Sequence, residues 1–286
     1  MELKVQTNYI EDLVLHCLAH MHVDNESDLY DICYISKINE EKLKKSFPTH
    51  LDDQMEKLSR IYNDNFERMA AINFLPFTTN SLDELEGSLL TLPIFTEQDR
   101  EIFIHHFIEI LKSEDVFYHN LWANKVSQHS KTLEKFEIDV KAMFEKLPTA
   151  FQKIPIPLCI SLQLAMTKAG RATANHERIS VAVRLYEDYE KMKFSLLQVL
   201  HELTHMFTDR LLKCQLSMRD GSHMKAEYIV IVTDYLIIEE HMPEFMSTYL
   251  EYIDIKSAEL KEVLEVYPVE EDTLRKISEM LHLQIQ

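Results

Sequence analysis

Two imidazoles and a carboxylate interrupt an apolar helical run in SLLQVLHELTHMFTDRLL, Ser195 to Leu212. His201 and His205 stand four residues apart, so on a helix both rings leave one face, one turn apart in height. Their nitrogens can then converge on a single ion at bond lengths of about 2.0–2.1 Å. Glu202, one residue on from His201, points sideways and reaches a water beside that ion rather than the ion itself. These residue types at this spacing suit metal-assisted hydrolysis, with Glu202 as the general base.

A catalytic zinc takes three protein ligands and keeps its fourth place for water. Glu227 is the expected third ligand. It follows His205 by 22 residues, enough for the first helix to end, a turn around Gly221, and a second helix to bring a carboxylate back. Its apolar neighbours Ala226, Tyr228, Ile229 and Val230 describe a buried helix, where a carboxylate needs a cation or donors. Asp234 lies two turns further along the same face and is expected to accept a hydrogen bond from a ligand imidazole. His223 is a rival ligand or a transition-state donor. Tyr228, Tyr235, His176 and Arg171 are the other polar candidates for stabilising a developing oxyanion.

The HELTH helix, followed about twenty residues later by a glutamate on a second helix, resembles the gluzincin group of zinc metallopeptidases, with thermolysin-like architecture. The resemblance covers residues 155–245. It implies one zinc ion held by His201, His205 and Glu227, Glu202 as general base, and a peptide or protein substrate. Thermolysin-like enzymes carry an aspartate four residues after the ligand glutamate, where this chain has Ile231; Asp234 stands one turn further on. Small intracellular regulatory zinc peptidases of the HExxH-plus-glutamate kind are similar too. The resemblance also implies that the strand ending near Leu185 is the edge strand along which a peptide lies.

The elements that must position these groups are also legible. The first part of the chain reads as amphipathic helices. One carries Ile10, Leu13, Val14, Cys17, Leu18 and Met21 at three- and four-residue steps. Ser81 and Thr96 are expected helix caps. Then PLCISLQLAM and RISVAVRLY alternate with period two, which predicts half-buried strands. TKAGRATANHE between them reads as a loop, and helical periods return after Tyr186. The expected fold class is α+β and mostly helical: a helical N-terminal lobe over 1–135, and a zincin-like catalytic lobe over 136–286 with a small mixed or antiparallel sheet, the HExxH helix and the ligand helix.

Composition limits the partners. The chain has 286 residues, a formal net charge of −18 and only three glycines. So acidic a surface repels phosphate backbones and anionic lipid, which argues against nucleic acid and membranes. No basic leader followed by an apolar run opens the sequence, and the four cysteines form no CxxC. Both features lead to the expectation of a cytoplasmic protein with buried reduced thiols. His16 and His20 are expected on a solvated helix edge, with a second metal site as the alternative. His105 and His106 read as polar edges of an amphipathic helix, and Trp122 as core. The function that fits best is zinc-dependent peptide hydrolysis. The competing readings are a non-catalytic zincin scaffold kept for binding or regulation, and a helical interaction protein with a chance motif.

Overall fold

The two period-two runs become strands, and both lie in one four-stranded mixed sheet. The computed structural model describes residues 2–21, 30–152, 156–167, 169–212 and 222–282. The strands are β1 (Leu3–Gln6), β2 (Leu158–Gln163), β3 (Arg171–Ala174) and β4 (Ile179–Arg184), in the order β1-β2-β4-β3. β2 runs parallel to β1 and to β4, and β3 runs antiparallel to β4. β4 is therefore interior, paired on both sides, and is not the edge strand that the resemblance implied. The edges are β1 and β3, and β3 lies in the segment that reads as a loop.

The longer helices are α1 (Tyr9–His20), α2 (Ile32–Lys45), α3 (His50–Asp64), α4 (Leu82–Thr91), α5 (His105–Gln128) and α6 (Ser130–Lys146) before β2. After β4 come α7 (Met192–Leu212), α8 (Ser222–His241), α9 (Met246–Tyr252), α10 (Leu260–Val266) and α11 (Glu271–Leu281). Ser81 caps α4 by accepting from Glu84 N, and Thr96 forms a capping box with Asp99. Among the described residues, no helix is long and apolar enough to cross a membrane.

Buried apolar residues form two clusters. One joins α1 to α5 and takes in Ala165, Met166 and Ala182 from the sheet region; the other runs from Phe136 to Leu281. The sheet lies between them, so its two central strands, β2 and β4, are buried on both faces rather than half-buried. Leu158, Ile160, Leu162, Val181 and Val183 pack in the second cluster. The opposite face carries Ser161 and Gln163, whose side chains both donate to Glu11 of α1. Asp12 beside it accepts from Leu164 N at 3.1 Å and Trp122 Nε1 at 2.8 Å. Two carboxylates in the first turn of α1 thus satisfy the polar face of β2 and its exit. Burial pushes both up to about 7.

The front part also holds a charged network with no counterpart in the sequence reading. His16 and His20 are buried, not on a solvated edge. His16 Nε2 lies 2.7 Å from Glu114, which also accepts from Lys42 Nζ at 2.5 Å and from Thr49. Tyr34 links the His16 ring to Tyr118. His105 is exposed and His106 half-buried, as their helix pattern predicts. Of the described cysteines only Cys17 is buried; Cys159 is half-buried, Cys33 is exposed, and all three are free.

Candidate metal centre

α7 is amphipathic for a structural reason. Leu196, Leu197, Val199, Leu200 and Leu203 are buried, and the helix packs on β4 and against α8. That packing turns His201 and His205 toward α8, where Glu227 and Asp234 sit two turns apart on one face.

Three donor atoms meet there. His201 Nε2 and His205 Nε2 are 3.3 Å apart. His201 Nε2 is 3.3 Å from Glu227 Oε2, and His205 Nε2 is 3.3 Å from Glu227 Oε1. Bonds of about 2.0–2.1 Å in a tetrahedron place neighbouring donors about 3.3 Å apart. The described residues hold one group of three or more His, Cys, Asp or Glu able to hold a metal ion, and it is this one.

The protonation pattern agrees with the distances. His201 Nδ1 lies 2.9 Å from Oδ2 of fully buried Asp234. A carboxylate only accepts, so Nδ1 carries the proton and the neutral ring turns its Nε2 lone pair on the other donors. Two imidazole lone pairs and a carboxylate in mutual contact repel one another unless a cation lies among them. Without a metal, protons take that part. Burial works against a charge on His201, yet its hydrogen bonds to Asp234 and Glu227 prevail and raise it to about 10. Burial likewise opposes the charge on Glu227, and the hydrogen bonds from both rings outweigh it and hold the carboxyl far below its usual range.

Glu202 is half-buried beside this group. Its carboxylate makes no hydrogen bond to the described residues. Burial raises its pKa, while the nearby His201, His205 and Arg171 oppose the rise. Gly170, the residue before edge strand β3, lies against it: the nearest atoms to a Cβ built there are those of the Glu202 side chain. Gln198, one turn earlier on α7, donates to Thr167 O at 3.1 Å and ties the same segment to the helix.

The other sequence candidates divide. The side chain of His223 lies outside the described residues, as does Gly221. Tyr235 is buried and its hydroxyl donates to Ala258 O at 2.6 Å, pinning α8 to the chain before α10, with Glu239 of the same helix 3.0 Å from the hydroxyl oxygen. That removes it as a donor to a reacting carbonyl. Tyr228 is half-buried and packs edge-on against Tyr267 at 5.5 Å. The His176 side chain is 89% exposed, on the turn after β3.

The tyrosine at the centre is one the sequence did not single out. Tyr252, on α9, sets its ring 6.2 Å from that of His201. Burial, then the charges of Glu202, Asp234 and Glu227, push its hydroxyl pKa well up. The hydroxyl has no hydrogen-bond partner among the described residues. It lies 18 residues past Asp234, beyond Pro243, and only the return of α9 against α7 and α8 brings it in. Comparison with protein-family models, with curated proteins and with solved structures finds no match for the chain.

Proposed function

We propose that the protein is a zinc-dependent peptidase of the gluzincin kind, with a zincin-like catalytic lobe. The observation that carries this reading is the triangle of donors at 3.3 Å with a carboxylate beside it, Glu202, that makes no hydrogen bond to the described residues. His201, His205 and Glu227 would hold the ion. Three protein donors leave a fourth place, which separates a catalytic set from a closed structural one. When bound, zinc supplies Lewis-acid polarisation of a carbonyl and lowers the pKa of water toward about 7.

The chain's own residues supply the rest. Asp234 fixes the tautomer and orientation of His201. Glu202 takes a proton from the attacking water and returns it to the leaving nitrogen; its raised pKa suits both transfers. The Tyr252 hydroxyl is the free donor for charge developing on the carbonyl oxygen. β3 is an edge strand of half-buried and exposed residues, and its open main chain can pair with an extended peptide by strand addition. The Glu202 carboxylate lies at the N-terminal end of that strand, which sets the scissile bond near residue 170.

The test is hydrolysis of a peptide library by the zinc-loaded protein and its Glu202→Gln variant. Glu202→Gln should bind one zinc and lose about 10²–10⁴-fold in kcat. Wild-type kcat in a zinc-replete Glu202→Gln protein would exclude the general-base role.

A further inference from the structure

A glycine is costly to keep without a reason, and this chain has only three. Gly87 lies within α4, and a Cβ built on it meets nothing within 4 Å. Gly170 is different. Its φ is not in the left-handed region, so the backbone does not demand glycine there. The demand comes from one neighbour. A Cβ at residue 170 would lie 2.8 Å from Glu202 Oε1, 3.0 Å from its Cγ and 3.2 Å from its Cδ. Those are its three nearest atoms, and all belong to the side chain read above as the general base.

We infer that Gly170 is a positioning residue: its missing side chain is the slot that holds the Glu202 carboxylate between edge strand β3 and the metal ligands. The inference rests on the reading of Glu202 as general base. The slot has two walls. Gln198, four residues before Glu202 on the same face of α7, fastens the chain at Thr167. Strand β3 begins at Arg171, paired with Ala182 of β4. Residue 170 is held between these two attachments, so its backbone cannot retreat easily. The carboxylate is the end of a flexible side chain, so it yields first. Ordinary contact begins at 3.4 Å, which asks Oε1 to move at least 0.6 Å. A misplacement of about 1 Å in a reacting group can cost about 10²-fold.

The experiment compares Gly170→Ala, Gly87→Ala, Glu202→Asp and the Gly170→Ala/Glu202→Asp double variant, each loaded with zinc. Gly170→Ala should fold, hold one zinc per chain, keep KM within about threefold and lose about 10- to 100-fold in kcat. Gly87→Ala should keep wild-type kcat. In the Glu202→Asp background the alanine should cost much less, because the shorter carboxylate has already withdrawn from the slot. Wild-type kcat in Gly170→Ala would overturn the inference. So would an equal loss in the Glu202→Asp background, a loss explained by missing zinc, or failure of Gly170→Ala to fold. If the wild-type protein hydrolyses no peptide, the functional reading falls and the slot is judged by a crystal structure of Gly170→Ala. A Glu202 carboxylate displaced by 0.6 Å or more supports it; an unmoved carboxylate overturns it.

Discussion

His20 makes the protein sensitive to acid in a way that can be worked out. It is 2% exposed; Nδ1 lies 2.9 Å from His16 O, and Nε2 has no partner among the described residues. Burial, then the neighbouring His16 and Lys42, lowers its pKa to about 3, with Glu114 opposing. The unfolded chain protonates this histidine near 6.5. Above pH 6.5 both states are neutral there and the group is silent. Below it the unfolded state gains a proton that the fold refuses until about 3. Stability from this residue falls by about 1.4 kcal/mol per pH unit across that window. Between pH 7.5 and 5 the loss is about 2 kcal/mol. Glu11 and Asp12 act with the opposite sign. Their folded pKa near 7 means the fold holds protons that the unfolded chain releases, so each adds about 2–3 kcal/mol on going from pH 7.5 to 5. The carboxylates win in the total, so the histidine must be read as a difference. Urea unfolding of wild-type and His20→Gln protein at pH 7.5, 6 and 5 supplies it. The variant should gain about 2 kcal/mol on the wild type over that range. Parallel stability curves would refute the claim that His20 is held neutral.

Three substitutions test the metal centre and its surroundings. Asp234→Asn should weaken zinc binding by about 10–100-fold in competition with a chromophoric chelator; unchanged affinity would deny Asp234 its hold on His201. Tyr252→Phe should keep zinc and lose about 10²–10³-fold in kcat, and a wild-type rate would move the oxyanion donor elsewhere. Tyr235→Phe should do the reverse, keeping kcat while losing about 1–2 kcal/mol of stability in chemical denaturation, because its hydroxyl ties α8 to Ala258 O.

What the sequence disclosed follows from which signals are local. His201, Glu202 and His205 are read from helical spacing alone, and the 22-residue step to Glu227 is read from the room a helix–turn–helix needs. Asp234 is visible because two turns return it to the face of Glu227. Strands β2 and β4 announce themselves by alternation. Strand β1, LKVQ, is four residues pairing with a strand about 150 residues away, and nothing in it is periodic enough to show. Strand β3, RATA, is made of small and polar residues and exists because β4 offers it an edge. Ser161 and Gln163 read as a solvent face, yet Glu11 of a distant helix covers them. Tyr252 shares no spacing with the motif. His16 and His20 look like a wet helix edge because their partner Glu114 comes from α5, about 100 residues on. In each case the missing information is a long-range contact.

The proposed function requires His201, His205 and Glu227 to share one cation. Anomalous diffraction at the zinc edge, on crystals of protein purified without added metal and then dialysed against micromolar zinc, tests it most directly. One peak per chain is expected, about 2.0–2.1 Å from His201 Nε2, His205 Nε2 and a Glu227 oxygen. No peak there, or rings and carboxylate turned away from one another around a peak elsewhere, would contradict it.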